Sequence, residues 1–218
     1  MARYIGQNIA DRIGRLAGLA AEDREVVAYG LEYLLSGMLA LALILLAGLA
    51  LNLFWETLVV LCCWGLLRQF AGGAHCTALW RCTVANITGI VIAVQIAIVS
   101  SILIEPAVWI AICIAWAFFA VWIWAPNNSE KPVSDLRQRI RLRSWAQGLL
   151  LFVGAALFYP VFSGTEKLQL LAVSGATGFA AGALMLSPPG FRLIGQFDKT
   201  MIYLHQRYIT NDKGGETR

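Results

Sequence analysis

Six long apolar runs dominate this sequence and restrict what the chain can fold into. Each run holds 17–23 residues, which is enough for one helical membrane crossing. None shows the alternation of polar and apolar residues that a membrane barrel strand requires. The sequence therefore predicts an all-α polytopic membrane protein with six transmembrane helices. The predicted spans are residues 31–51, 54–70, 82–104, 107–124, 145–162 and 168–186.

The composition supports this class and excludes several others. Of 218 residues, 59% are hydrophobic and 14% are charged, whereas a soluble domain is about 45–50% apolar and about 25% charged. This balance excludes a soluble globular enzyme, a disordered chain, collagen and a coiled coil. Six crossings require about 120 residues. We therefore expect a single integral membrane domain over residues 1–218, with an N-terminal segment 1–25, a six-span core 31–186 and a tail 188–218.

The basic residues are distributed unevenly and predict an orientation. Sixteen of the 17 Lys and Arg residues lie in the two tails, in the link after span four, or at the end of span two and in the link that follows it. The remaining one, Lys167, follows span five. Because basic residues accumulate in cytoplasmic loops, both termini are predicted to be cytoplasmic. Membrane orientation therefore explains the net charge of +4, and no nucleic-acid partner is expected.

Both tails show the spacing of amphipathic helices. Such helices either lie on a membrane surface or dock on the protein's own cytoplasmic face, and the sequence leaves both alternatives open. Between the tails, the small-residue stretch 175–182 predicts close helix packing. The apolar positions are Ile5, Ile9, Ile13, Leu16 and Ala20 in the first tail, and Phe191, Ile194, Phe197, Met201, Leu204 and Tyr208 in the second.

One segment, residues 68–82, combines the side chains that could carry out chemistry. An imidazole near a thiol takes its proton and creates a nucleophilic thiolate, and nearby arginines favour that anion. The expected reaction is peptide cleavage or acyl transfer. The segment lies between spans two and three, on the side predicted to be cytoplasmic. Its residues of interest are Arg68, Gly72, Gly73, His75, Cys76, Arg81 and Cys82.

The spacing of His75 and Cys82 determines which conformation this segment needs for catalysis. His75 and Cys82 are seven residues apart, which is about 10 Å of rise on a straight helix and too far for a proton transfer. The segment must therefore bend or be partly non-helical, and the Gly72-Gly73 pair makes a break plausible just before His75. Cys82 ranks above Cys76 as the nucleophile, because a helix would direct Cys76 away from the adjacent His75.

The other cysteines point to packing. Cys62, Cys63 and Cys113 lie mid-span, where a thiolate would be costly and a small apolar filler is common. The total of five is odd, and no CxxC pair or zinc-like spacing occurs. We therefore expect no disulfide framework, no metal site and no cofactor.

The pattern Arg68-x3-Gly72-Gly73-x-His75-x6-Cys82, placed between the second and third spans, resembles the accessory gene regulator B (AgrB) family. Members are membrane-embedded cysteine endopeptidases of bacterial peptide quorum sensing. The resemblance covers nearly the whole chain, including the link that runs from Ala125-Pro126 to Lys131-Pro132. It implies that Cys82 is the nucleophile and His75 its base. It also implies that Arg68 and Gly73, with the adjacent Gly72, support the substrate or the transition state.

The resemblance further implies a substrate and a place of action. The substrate would be an AgrD-like precursor signal peptide, cut on the C-terminal side of its signal segment and held as a thioester on the cysteine. Cyclisation to a thiolactone or lactone would follow. The enzyme would work in the bacterial cell membrane, near its cytoplasmic face and in contact with the lipid bilayer, and it would form a homodimer.

Several alternatives remain open at the level of sequence. The basic stretch that contains Arg137, Arg139, Arg141 and Arg143 would attract the acidic tail of a precursor, or it would serve only as a topology signal that contacts anionic lipids. A non-enzymatic small transporter subunit or scaffold would also explain the spans, and an acyltransferase would use the same thiol. A third residue to orient His75 is sought among Asn127, Glu130 and Asp135.

Overall fold

The chain is an almost entirely helical bundle. The computed structural model describes residues 2–128 and 134–215. The all-α class is confirmed, with two strands of only two residues each added to it. In chain order the elements are α1 (Ala2–Leu16), α2 (Ala21–Ala50), α3 (Phe54–Ala71), β1 (Gly72–Gly73), α4 (Leu79–Leu103), α5 (Pro106–Trp124), β2 (Asn127–Asn128), α6 (Leu136–Ser163), α7 (Glu166–Leu184) and α8 (Pro188–Gly215).

The helices agree with a multi-pass membrane protein. Within the described residues, five helices, α2 to α6, are long and apolar enough to cross a membrane. The sixth predicted span corresponds to α7, which meets the same test only together with α8, and these two helices are bent by 79° at their junction. Helix α7 is less apolar because it begins with Glu166 and Lys167 and is rich in Gly and Ala.

Helix α7 forms the centre of the bundle. It packs against α3, α4, α5 and α6, and every residue from Ala172 to Phe179 is buried. Its glycines permit this approach, because a Cβ at Gly178 would lie 2.7 Å from the Val60 carbonyl oxygen. The prediction of close packing by the small-residue stretch is therefore confirmed. A helix surrounded by protein needs no apolar surface for lipid, which explains its composition.

The two amphipathic tails behave differently. Helix α1 packs against α2 through its small buried residues Ala10 and Gly14, while Ile9, Ile13 and Leu16 remain exposed. This unpartnered apolar face favours a membrane surface over docking. In α8, by contrast, Ile194 packs against buried residues of the bundle, so this tail helix docks on the protein.

The expected break in the motif segment is present. Helix α3 ends at Ala71, and Gly72 and Gly73 follow with φ values of +80° and +140°, which L side chains rarely adopt. They pair in parallel with Asn127 and Asn128. A Cβ at Gly72 would lie 2.5 Å from the Asn127 carbonyl oxygen. The Gly-Gly pair thus both reverses the chain and admits a neighbouring backbone.

Candidate active site

The chain reversal brings His75 and Cys82 together. The loop after Gly73 folds back over the beginning of α4, and Cys82 lies in the first turn of that helix. The His75 Nδ1 atom lies 3.9 Å from the Cys82 Sγ atom. The two side chains are partly open to solvent: His75 is exposed and Cys82 is half-buried. The bend required by their spacing therefore produces a thiol–imidazole contact.

Arg68 ties this pair to the end of α3. Its Nη2 atom donates a 2.8 Å hydrogen bond to the Ala74 carbonyl oxygen, which fixes the loop immediately before His75. The same atom lies 3.4 Å from His75 Nδ1 and 3.3 Å from Nε2, so the guanidinium touches the imidazole ring itself. Arg68, predicted as a supporting residue, is thus part of the cluster.

Asn86 completes the cluster and was missed by sequence reasoning. Its Oδ1 atom accepts from Arg68 Nη1 at 3.4 Å, and its Nδ2 atom lies 3.9 Å from Cys82 Sγ. Arg68, Asn86, Cys82 and His75 therefore form a closed ring of contacts. A signal was available, because Asn86 follows Cys82 by four residues and so shares its helix face.

The residues proposed earlier to orient His75 are engaged elsewhere. Asn127 donates from Nδ2 to the Leu186 carbonyl oxygen at 3.2 Å. Asp135 caps α6 by accepting from the Arg137 backbone N–H at 3.0 Å. These hydrogen bonds join Asn127 to the backbone that follows α7 and Asp135 to the first turn of α6, and a role for either residue in orienting His75 stays a hypothesis. Glu130 lies outside the described residues.

Cys76 has a different environment from Cys82. It is buried, and burial, with smaller contributions from Cys82 and Asp198, raises the pKa of its thiol to about 12. A thiol with such a pKa is protonated at neutral pH and is a weak nucleophile. The contrast with the accessible Cys82, which touches His75, supports the ranking of Cys82 above Cys76.

Gly73 fits the loop closely beneath the cluster. An added Cβ would lie 3.5 Å from Arg68 Nε and 3.5 Å from the Met185 carbonyl oxygen. The next residue, Ala74, donates its backbone N–H to that carbonyl at 3.0 Å. The C-terminal end of α7 therefore supports the loop from behind. A side chain at position 73 would have room at these distances, so the glycine is required by its φ of +140°.

A cavity of about 490 Å³ opens beside the cluster, between α2, α3 and α4. This volume lies within the usual range for ligand sites. The cluster residues Arg68, His75, Cys82 and Asn86 line one part of it. The opposite wall belongs to α2, which sequence reasoning left without a role. The α2 residues on that wall are Tyr29, Tyr33, Ser36, Gly37, Ala40 and Ile44.

Arg81 does not act as a free cation near the thiol. Its Nε atom forms a salt bridge with Asp198 Oδ1 at 2.8 Å. Sequence reasoning expected Arg81 to favour the thiolate, together with Arg68. The Asp198 carboxylate compensates the charge of Arg81, whereas Arg68 lies in direct contact with the imidazole. The effect of Arg81 on the thiol stays a prediction.

The basic stretch at the beginning of α6 divides into two groups. Arg137, Arg139 and Arg141 are exposed and available to a ligand or to lipid headgroups. Arg143 is half-buried and donates from Nε to the Ala125 carbonyl oxygen at 2.8 Å. Arg143 therefore fastens the α5–α6 link, and the other three side chains remain exposed.

The part of the chain that the structure describes contains no group of three or more His, Cys, Asp or Glu side chains that could hold a metal ion. The groups that meet at the cluster are a thiol, an imidazole, a guanidinium and an amide. These groups together suit nucleophilic attack on an acyl carbon.

Comparison with known proteins identifies the family of this chain. The family model described as "Accessory gene regulator B" matches residues 2–186. The chain belongs to the accessory gene regulator B family. Membership indicates involvement in accessory gene regulator autoinducer processing. The match ends at residue 186, so α8 lies beyond it.

Two curated relatives come from Clostridium perfringens. "Putative AgrB-like protein 2" of strain 13 / Type A is 28% identical over 169 residues, which cover 75% of this chain and 77% of the relative. "Putative AgrB-like protein" of strain SM101 / Type A is 25% identical over 171 residues, with the same coverage. No solved structure matches the chain significantly.

Proposed function

We propose that this chain is a membrane cysteine endopeptidase that cleaves a quorum-sensing precursor peptide and cyclises the released segment. One observation carries the proposal: Cys82 Sγ lies 3.9 Å from His75 Nδ1 on the wall of a cavity of about 490 Å³. The proposed reaction uses no metal and no cofactor. Its location is the bacterial cell membrane, with the cluster near the cytoplasmic face.

In the first step, His75 accepts the proton of the Cys82 thiol, and the thiolate attacks the carbonyl carbon of the scissile peptide bond. The resulting tetrahedral intermediate collapses, and the C–N bond breaks. His75 returns the proton to the departing amine. The products are a released C-terminal fragment and an acyl group joined to Cys82 as a thioester.

In the second step, an internal cysteine or serine of the bound segment attacks the thioester carbonyl. Cys82 leaves as a thiol, and the segment closes to a thiolactone or a lactone. Exchange of one thioester for another is nearly balanced in free energy, so the acyl group stays activated as long as water is excluded. The apolar lining contributed by Ala40, Ile44 and Leu61 disfavours water on that side of the thioester, and the bound segment itself would cover the open side.

Arg68 and Asn86 have supporting roles in this scheme. Arg68 fixes the loop through Ala74 and holds the imidazole in place. The Asn86 Nδ2 atom lies 3.9 Å from Cys82 Sγ, so it is placed to donate to an oxygen of an acyl group carried by that sulfur. A donor that is already in place stabilises the oxyanion as it forms.

Recognition of the precursor uses two regions. The cavity between α2 and α4 takes the segment that becomes acylated. The exposed Arg137, Arg139 and Arg141 attract an acidic tail of the precursor by long-range electrostatics. The family also suggests a homodimer, and we propose that assembly for this chain.

Co-expression with the small open reading frame encoded beside this gene tests the proposal. Mass spectrometry would look for a shortened or cyclised peptide. We expect processing by the wild type and by Cys76→Ala, and loss of processing in Cys82→Ala and His75→Ala. Loss confined to Cys76→Ala would overturn the assignment of the nucleophile. A folded, inserted wild type that leaves the precursor intact would favour the non-enzymatic transporter subunit or scaffold.

A further inference from the structure

The C-terminal helix α8 reaches the proposed catalytic loop through one acidic side chain. Asp198 is only 6% exposed, although it belongs to a helix whose neighbouring residues Phe197 and Lys199 are half-buried and exposed. The helix lies beyond the family match, which ends at residue 186. Burial of a carboxylate costs free energy unless the group is paired and hydrogen-bonded. The partners of Asp198 therefore indicate its structural role.

Both oxygens of the Asp198 carboxylate bind the segment between the two catalytic residues. Oδ2 accepts from the Thr77 hydroxyl at 2.8 Å and from the Thr77 backbone N–H at 3.3 Å. Oδ1 pairs with Arg81 Nε at 2.8 Å. Arg81 Nη2 in turn donates to the Thr77 hydroxyl oxygen. The three side chains therefore form a closed triangle.

Two residues of this triangle lie close in sequence to His75 and Cys82, the proposed catalytic dyad. The triangle can therefore influence the geometry of the dyad. Thr77 follows His75 by two residues, and Arg81 directly precedes Cys82. Asp198 thus joins the two ends of the short segment 77–81 at one point. His75 lies just before this segment and Cys82 directly after it. Fixing both ends of the segment therefore fixes the distance between the imidazole and the thiol.

Stability alone gives a poor account of Asp198. It falls on the buried face of α8 between Ile194 and Met201, at a spacing where the helix pattern calls for an apolar residue. Replacing a buried ion pair by apolar residues of similar volume is often neutral or stabilising. The carboxylate is therefore better explained by the geometry it imposes on Thr77 and Arg81.

We propose that Asp198 is a positioning residue that holds the His75 imidazole and the Cys82 thiol at the distance that the reaction requires. The inference rests on the proposed function, since it assumes that this pair is the catalytic dyad. Asp198 acts through Thr77 and Arg81 and touches neither catalytic side chain in the contacts described above. Around the dyad, the titratable and charged groups are Tyr33 of α2, Arg68 of α3, Cys76 of the loop, Arg81 of α4 and Asp198 of α8.

The reactivity of Cys82 toward iodoacetamide tests the inference without any precursor. The full chain in detergent micelles is alkylated at neutral pH, and mass spectrometry follows each cysteine separately. We expect Asp198→Asn to slow Cys82 alkylation about tenfold, because small displacements of reacting groups have large effects on rate. Asp198→Glu should restore part of the rate, and Lys199→Gln, an exposed neighbour on the same helix, should leave it unchanged.

Cys76 and His75 separate positioning from a general loss of structure. If Asp198→Asn merely loosened the loop, the buried Cys76 would become reactive; we expect it to stay protected. In a double-mutant cycle, His75→Ala should strongly reduce the rate of Cys82 alkylation in the wild-type background. In the Asp198→Asn background it should reduce that rate little further. Thr77→Val, which keeps the ion pair with Arg81, provides a milder variant if Asp198→Asn fails to fold, and it should slow Cys82 alkylation to a smaller extent.

The outcomes distinguish the two proposals. Alkylation of Cys82 that does not depend on His75 in the wild type would overturn the proposed function. Alkylation that depends on His75 but stays at the wild-type rate in folded Asp198→Asn and Thr77→Val would overturn the positioning role alone. Exposure of Cys76 in these variants would also contradict it, because Asp198 would then act through stability.

Discussion

His75 Nδ1 lies 3.9 Å from Cys82 Sγ although the two residues are seven positions apart in sequence. Helix α3 ends before His75, and α4 begins at Leu79, so the chain turns within the residues between them. The contact depends on the conformation of that turn. Disturbing the turn should therefore affect activity as much as removing either catalytic group.

Substitution of Gly72 tests the turn directly. Gly72→Ala places a methyl group 2.5 Å from the Asn127 carbonyl oxygen and forces φ of +80° on a residue with a side chain. We expect a stability loss of about 1–3 kcal/mol and loss of peptide processing. Thermal unfolding in detergent measures the first. Gly148→Ala is the matched control, since its Cβ would meet nothing within 4 Å, and equal effects of the two substitutions would refute the explanation.

Cys76 should be unreactive over a wide pH range. Burial raises the pKa of its thiol to about 12, and a raised pKa keeps a thiol protonated at every pH below that value. We expect iodoacetamide to modify Cys82 but not Cys76 between about pH 7 and 9, because only a thiolate reacts and Cys76 stays protonated in that range. Site-resolved mass spectrometry provides the measurement. Faster modification of Cys76 than of Cys82 would contradict the assignment.

Asn86 should contribute more to peptide processing than its position on an apolar helix suggests. Asn86→Ala removes the amide that lies between Arg68 and Cys82, and loss of one oxyanion donor costs about 100-fold or more in other enzymes. We expect peptide processing to fall at least about tenfold. Gln95→Ala removes an exposed amide from the same helix and serves as the control. Equal processing by the two variants would remove Asn86 from the mechanism.

Charge reversal at Arg139 and Arg141 distinguishes the two interpretations of the basic stretch. Both side chains are exposed, so their replacement by Glu leaves the buried structure intact. If they attract an acidic precursor tail, processing should fall, and the loss should diminish at high salt because exposed charges are screened. Membrane insertion is checked in parallel. Unchanged processing by a correctly inserted variant would support the topology and lipid interpretation.

The sequence predicted those features that depend on local pattern. Apolar runs identified the helices because membrane crossing requires about 20 apolar residues. The Gly72-Gly73 pair predicted the break because positive φ strongly favours glycine. The pairing of His75 with Cys82 followed from chemistry once a break was allowed. Each of these inferences needed only residues that are close in the chain.

Features that depend on distant segments were missed. Asp198 meets Thr77 across 121 positions, and no local pattern reports that contact. The sequence did not indicate that α2 forms a wall of the cavity, because the composition of α2 resembles that of any membrane helix. Asn127 and Asp135 were proposed as partners for His75 because their side chains suited the role. Asn127 instead donates to the Leu186 carbonyl oxygen, 59 positions away, and Asp135 accepts from the Arg137 N–H at the beginning of α6. No local pattern reports the first of these hydrogen bonds.

The most direct test of the central claim is detection of the acyl-enzyme on Cys82. Purified protein is mixed with the precursor, quenched in acid within seconds and analysed by peptide mass spectrometry. The account predicts a precursor-derived mass on the peptide that contains Cys82, released by hydroxylamine as a thioester should be and absent from Cys82→Ala. An adduct on Cys76, or processed peptide formed by the Cys82→Ala variant, would contradict the account.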